Sequence, residues 1–135
     1  MDLDRLHALA AVADYLRVVE SDGSFAGFLL AFRAGADYAN ANFDWFSERY
    51  KDFVYIDRIV VASHAARGGL GSHLYEDLFQ WAKRRGVPYA SCEYNLLPPN
   101  PRSAAFHHRH GFREVGSQTL ADGANTVSMQ LRSLA

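Results

Sequence analysis

The chain has 135 residues, of which 49% are hydrophobic and 21% charged, and its formal net charge is −1. With charge this balanced, no global field attracts nucleic acid or acidic lipid, so we expect neither nucleic acid nor a membrane as a partner. A single cysteine, Cys92, excludes an internal disulfide and a cysteine-based zinc site, and the acidic N-terminus lacks a signal-peptide core, which makes the cytoplasm the expected location.

The first half of the chain predicts a helix at residues 2–10, a hairpin of strands 14–20 and 25–32, a loop at 33–42 and a short helix at 43–50. The second half predicts a strand at residues 53–62, a glycine-rich turn at 67–72, a helix at 69–85 and a strand at 89–95 that runs parallel to the first. A helix from Pro101 to about 110 and a hairpin of strands 112–120 and 126–131 complete the chain. We therefore expect one mixed α/β (α+β) domain over residues 1–135, with a mostly antiparallel sheet around one parallel pair.

The glycine-rich turn, Arg67–Ser72, follows an apolar strand and leads directly into a helix. Such a turn exposes backbone amides in one direction, and the helix dipole adds positive potential, so the arrangement predicts an anion site for a phosphorylated cofactor. It is not a Walker A loop, because no lysine follows the glycines, and Leu74 occupies the last glycine position of a dinucleotide-binding fingerprint. The alternative is a plain strand-to-helix turn.

Two motifs in order resemble the GNAT superfamily of N-acetyltransferases. The family's diphosphate loop, Arg/Gln-x-x-Gly-x-Gly/Ala, matches residues 66–71 except at Ala66. A second family motif, Asn-x-x-Ala/Ser-x-x-Phe/Leu-Tyr-x-x-x-Gly-Phe, resembles residues 100–112, with His107 in place of the tyrosine. Further details resemble a bacterial branch of the family, from which no acceptor substrate can be transferred.

The resemblance implies acetyl-CoA as the acyl donor and a GNAT-like sheet whose central parallel strands splay apart. It implies that backbone amides hold the diphosphate and that a strand pairs with the pantetheine arm, with these cofactor-binding residues: Ile59, Val60, Val61, Arg67, Gly68, Gly69, Leu70, Gly71, Ser72 and Asn100. Asn100 is first a helix cap, and its ligand contact is secondary. The family's first strand and helix would precede residues 2–10. We therefore expect that the first strand is missing, and that either the reading frame begins late or another element or a partner chain covers the sheet edge.

Acetyl transfer to an amine needs a neutral amine, and a carboxylate within an apolar sheet has the raised pKa that suits a general base. On the strand at 89–95, alternation places Ser91, Glu93 and Asn95 on one face and Cys92 on the other. Glu93 is the first candidate base, and matches a glutamate that some family members carry there. The alternative is an ion pair with an arginine such as Arg58 or Arg102.

Asp57 is a second candidate base, with an ion pair or turn contact as its alternative. His107 stands where the family usually has the tyrosine that protonates the CoA sulfur, and its alternative is a helix-face histidine bonded to backbone. The trio His107, His108 and His110 has no acidic or cysteine ligand nearby in sequence, so we expect no metal site. Cys92 is expected to be a small buried hydrophobe.

The aromatic residues between 38 and 55 favour core or subunit interface over the wall of a substrate pocket. Taken together, the sequence predicts acetyl transfer from acetyl-CoA to a primary amine of a small molecule or peptide. The alternative is a non-catalytic acyl-CoA sensor or interaction module of the same fold. A second copy of the chain is a candidate partner.

Overall fold

The computed structural model describes residues 3–97, 99–121 and 123–135. Its strands are β1 Tyr15–Ser21, β2 Ser24–Arg33, β3 Val54–Val61, β4 Tyr89–Leu97, β5 Arg113–Thr119 and β6 Thr126–Ser133. Its α-helices are α1 Leu3–Val12, α2 Ala41–Ser47, α3 Leu70–Arg84 and α4 Pro101–Arg109, and a 3₁₀ helix covers Ser63–Gly68. None of the helices in these ranges is long and apolar enough to cross a bilayer.

The six strands form one sheet in the order β1-β2-β3-β4-β6-β5. Neighbouring strands run antiparallel except for β3 and β4, which are parallel because α3 connects them. The predicted fold class, a mostly antiparallel sheet with one parallel pair and flanking helices, is confirmed. Within the described residues β1 is one edge strand of the sheet and β5 is the other.

The two parallel strands part soon after they meet. Their ladder consists of two residue pairs, Val54 with Ala90 and Tyr55 with Ser91. By contrast, the ladder between β4 and β6 extends along nearly the whole of β4. The residues of β3 after Tyr55 therefore have no partner in β4, and a gap opens between the two strands just beyond Tyr55. This is the splayed parallel pair that the sequence predicts.

A β-bulge lies in β3 just past the point where the strands part. Leu30 of β2 pairs with Arg58 and the next residue, Ala31, pairs with Ile56, so Asp57 has no partner in β2. A bulge adds one residue to the strand and reverses the side-chain alternation beyond it. Ile56 and Ile59 consequently face the same side of the sheet, where both contact the core packed under α3.

The sheet has an apolar core on each face. The α3-side core includes α3 residues such as Leu78 and Phe79, together with Cys92, which is 2% exposed. The α2-side core is aromatic, built on Phe43, Phe46 and Tyr55. The predictions that the aromatic segment forms core and that Cys92 is a buried hydrophobe are confirmed.

Two predicted boundaries change for local reasons. The short helix predicted at 43–50 lies at Ala41–Ser47, because the Asn40 side chain accepts hydrogen bonds from the backbone N–H groups of Asn42 and Phe43 and caps it earlier. The predicted loop before α3 contains the 3₁₀ helix, and the cap of α4 at Asn100 is as predicted.

Candidate active site

The glycine turn brings β3 into α3 through a left-handed residue. Gly69 is the N-cap of α3 with φ 76°, a backbone conformation that glycine adopts without steric cost. The first turn of α3 contains no acidic side chain that would occupy its free amides. The helix therefore presents unsatisfied N–H donors, supported by its dipole, at the end of β3 where the strands have parted.

A groove of about 430 Å³ runs past these amides and is called the first groove here. It is bounded by Ile59 and Val61 of β3, by Gly69, Gly71 and Ser72 of the turn, and by Phe106 and Arg109 of α4. The Phe106 ring lies so close to the helix that a Cβ on Gly71 would be 3.3 Å from Phe106 Cζ. Glycine at position 71 thus lets α4 approach α3 closely.

A second groove of about 580 Å³ continues along α4 and shares Ile59, Phe106 and Arg109 with the first. Asn100, Ser103 and His107 also line it. The Asn100 side chain caps α4 by accepting a hydrogen bond from the Ser103 backbone N–H, at 3.2 Å. The two grooves together form a channel from the glycine turn to the N-terminal end of α4, alongside the half of β3 that has left β4.

Glu93 lies on the opposite face of the sheet from these grooves, two residues beyond Ser91, the last residue of β4 that pairs with β3. Its carboxylate accepts a hydrogen bond from the Tyr55 hydroxyl at 2.6 Å and a second from Asn42. Burial is the largest influence and raises its pKa to about 7; the negative charge of Asp57 also raises it, and the two hydrogen bonds lower it. Glu93 therefore changes protonation state near neutral pH.

Neither arginine proposed as a partner reaches Glu93. Among the ion pairs that the described residues form, none joins Glu93 to Arg58 or Arg102. The carboxylate is fixed by neutral donors instead. Alternation along β4 is as predicted, because Glu93 bonds Tyr55 of the α2-side core while Cys92 packs in the α3-side core.

Asp57, the bulge residue, accepts a hydrogen bond from the Tyr38 hydroxyl. The Tyr38 ring stacks on Phe32 with ring centroids 4.0 Å apart, and burial together with Asp57 raises the Tyr38 pKa well above its usual range. Glu93 adds to this effect on Tyr38, so the two carboxylates and the two phenols of Tyr38 and Tyr55 interact electrostatically. They form an acidic cluster beside the gap.

His107 is 6% exposed and uses both ring nitrogens. Nδ1 lies 2.7 Å from the Ser103 carbonyl oxygen, which only accepts, so the hydrogen bonding assigns the proton to Nδ1. Nε2 then accepts from the Tyr75 hydroxyl at 2.9 Å. Burial lowers the pKa of His107, which keeps the ring neutral at pH 7. Within the described residues, no group of three or more His, Cys, Asp and Glu side chains is placed to hold a metal.

The sequence model of the acetyltransferase (GNAT) family matches residues 2–112. The chain belongs to the GNAT acetyltransferase family. Acetyl-CoA is accordingly its acyl donor, and acetyl transfer from acetyl-CoA its class of reaction. A search among curated proteins gives no match for this sequence.

Solved structures share the fold of this GNAT protein at low sequence identity. A protein assigned to the GNAT family from Desulfovibrio desulfuricans is 16% identical, with a TM-score of 0.75 over 98% of this chain and 77% of that one. Ribosomal-protein-S18-alanine N-acetyltransferase from Escherichia coli is 18% identical, with a TM-score of 0.65 over 96% of this chain and 76% of that one. A Bacillus anthracis protein solved in complex with acetyl coenzyme A is 16% identical, with a TM-score of 0.69 over 93% and 67%. At these identities the similarity shows the fold alone.

The sequence does not predict a role at the site for three polar residues of this GNAT protein: Tyr38, Asn42 and Tyr55. Each contacts a carboxylate that was predicted, but from a segment read only as aromatic core or loop. The one signal available was the position of Tyr55, two residues before Asp57 on the same strand. The contacts of Asn42 and Tyr38 with β3 and β4 depend on how α2 packs on the sheet. The spacing of neighbouring residues in the sequence does not predict that packing.

Proposed function

We propose that this GNAT protein is an N-acetyltransferase that transfers the acetyl group of acetyl-CoA to a primary amine of a small molecule or peptide. The observation that carries the proposal is Glu93, a carboxyl group with a pKa near 7 beside the gap between β3 and β4. A base is most effective when its pKa lies near the working pH. We also propose that residues 1–135 act as one cytoplasmic domain, with a homodimer as the candidate assembly.

The cofactor is proposed to occupy the channel formed by the two grooves. The amides of Arg67, Gly68, Gly69, Leu70, Gly71 and Ser72 would hold the diphosphate. The backbone of Ile59, Val60 and Val61 would pair with the pantetheine arm along the edge of β3 that no longer pairs with β4. Supporting this, Ile59 and Val61 line the first groove with the turn, and Asn100 lines the second groove farther along. The acetyl thioester would then reach the gap.

At the gap, the proposed reaction needs a proton acceptor and a proton donor. Glu93, as carboxylate, takes a proton from the acceptor's ammonium group. The neutral amine attacks the thioester carbonyl and a C–N bond forms. The nitrogen then gives its second proton to solvent while the C–S bond breaks and releases the CoA thiolate. Asp57 is proposed as the alternative base; its charge beside Glu93 also favours a cationic acceptor at this face.

His107 is proposed to give the proton to the leaving thiolate. Its place in the second groove supports this, but its hydrogen bonds set a condition. With Nδ1–H on the Ser103 carbonyl, the ring must be protonated at Nε2 and released by Tyr75 before it can donate. Because the lowered pKa makes that form scarce at pH 7, a role for His107 predicts turnover that falls as pH rises.

The test combines binding and turnover with one variant and one control. We expect acetyl-CoA to bind the wild type in isothermal titration, and a panel of primary amines to include acceptors that cause thiol release. Glu93→Gln should retain binding and lose turnover about 100-fold or more, whereas Glu20→Gln, at an exposed glutamate of β1, should lose neither. No binding at millimolar acetyl-CoA would reject the proposal. Binding without turnover on any amine would favour the sensor or interaction module.

A further inference from the structure

Arg109 lies where the two grooves meet, and within the part of the chain that the structure describes no ion pair holds its guanidinium. It is exposed at the last residue of α4 and lines both the first and the second groove. Across the described residues, no carboxylate forms an ion pair with it. Its guanidinium stays near the ring of Phe106, with Cζ 5.9 Å from the ring centroid. A cation that has no ion-pair partner among the described residues therefore lines the channel.

Phe106 connects this cation to the glycine turn. The same ring that lies near the Arg109 guanidinium abuts Gly71 in the first turn of α3. On the neighbouring side of α4, His110 Nε2 lies 3.0 Å from Ser72 Oγ, which also ties the end of α4 to the start of α3. The close packing of these two helix ends brings Arg109 into the lining of the first groove together with Gly71 and Ser72 of the turn.

We infer that Arg109 is a cofactor-binding residue whose guanidinium contacts the diphosphate of acetyl-CoA from the α4 side, opposite the amides of the glycine turn. This inference deepens the proposed function and rests on it. A guanidinium carries several donors in a plane and suits phosphate oxygens better than a point charge does. A diphosphate held between a helix N-terminus and a guanidinium would have donors on both sides.

A purely structural role for Arg109 makes a different prediction. A basic side chain in the last turn of a helix stabilises the helix through its dipole, whatever the ligand. Arg84 occupies the corresponding place in α3 and is also exposed. Arg84→Gln is therefore the matched control, since it removes the same charge from the same helix position but does not line either groove.

The experiment compares wild type, Arg109→Gln and Arg84→Gln with three thioesters: acetyl-CoA, 3′-dephospho-acetyl-CoA and S-acetylpantetheine. The second lacks only the 3′-phosphate, and the third lacks the diphosphate together with the whole adenosine. We expect Arg109→Gln to weaken binding of both nucleotide thioesters about tenfold, the size of one charged hydrogen bond in an exposed site. It should leave S-acetylpantetheine unchanged, and Arg84→Gln should change none. Affinities are measured by calorimetry or, for weak ligands, by ligand-observed NMR.

Each other outcome overturns the assignment in a distinct way. A loss seen with acetyl-CoA but not with its dephospho form would move the contact to the 3′-phosphate. An equal loss with all three thioesters would mean that Arg109 only shapes the groove through Phe106. Full affinity in Arg109→Gln would remove the contact altogether while leaving the proposed function intact. If wild type binds none of the nucleotide thioesters, the proposed function and this inference fail together.

Discussion

Replacing Glu93 with glutamine should stabilise the protein at high pH while it removes the proposed base. In the folded chain the pKa of Glu93 is about 7, against 4.5 for a free glutamate. Between these values the folded protein holds a proton that the unfolded chain has lost. Stability conferred by this group is therefore present below pH 4.5 and declines as pH rises towards 7. Above pH 7 the folded state contains a desolvated charge.

The size of the effect follows from the two pKa values. A difference of about 2.5 units corresponds to an upper bound of about 3 kcal/mol at high pH, since one unit is worth 1.36 kcal/mol. The Glu93 side chain is partly exposed, which reduces the figure. Glutamine has the same shape, stays neutral throughout, and its Oε1 still accepts from the Tyr55 hydroxyl. We expect its advantage over wild type to grow by about 2 kcal/mol between pH 5 and pH 8.

Urea unfolding at pH 5 and pH 8 measures this difference directly and needs no acceptor substrate. The comparison is Glu93→Gln against wild type, with Glu20→Gln as the exposed control that should shift little at either pH. A Glu93→Gln advantage that stays constant between the two pH values would refute the reasoning. So would a variant less stable than wild type at pH 8, because the carboxylate would then be stabilised by its surroundings.

Two further perturbations test the contacts around the site. Tyr55→Phe removes a hydrogen bond that lowers the pKa of Glu93, so the pKa of Glu93 should rise by about one to two units. A ¹³C NMR titration of labelled glutamates measures this pKa, and an unchanged or lower value would contradict the assignment. Gly116→Ala should destabilise the fold by about 1–3 kcal/mol in urea unfolding, because a Cβ there would lie 2.5 Å from Trp45 Cζ2. Gly68→Ala, where a Cβ meets nothing within 4 Å, is its control, and equal losses in both would show that packing on Trp45 is not the cause.

Local signals in the sequence predicted the secondary-structure elements and the two faces of β4 well. Period-two alternation on β4 correctly placed Glu93 and Cys92 on opposite faces, and the Asn100-Pro101 pair correctly marked the start of α4. A strand, a glycine-rich turn and a helix in succession gave the position of the first groove. In each case the physical cause acts over a few residues, so the order of residues is enough to reveal it.

The partners of Glu93 could not be predicted, because they come from distant parts of the chain. Tyr55 is 38 residues away in sequence and Asn42 lies on α2. Asn42 is itself oriented by Gln118 of β5, whose Nε2 donates to the Asn42 Oδ1 at 3.0 Å. Since that bond occupies the amide oxygen of Asn42, its N–H groups remain as the donors that lower the pKa of Glu93. The pKa of the candidate base thus depends on three elements that only the packed fold brings together.

The bulge at Asp57 explains how one strand can serve two faces of the sheet. Before it, Tyr55 points to the α2 side, where its hydroxyl holds Glu93. Strict alternation would keep every second residue after Tyr55 on that side, including Ile59 and Val61. With Asp57 unpaired the alternation reverses, so Ile59 and Val61 face α3 and line the first groove. One extra residue therefore places the acidic cluster and the cofactor channel on opposite sides of the same strand, next to the gap that connects them.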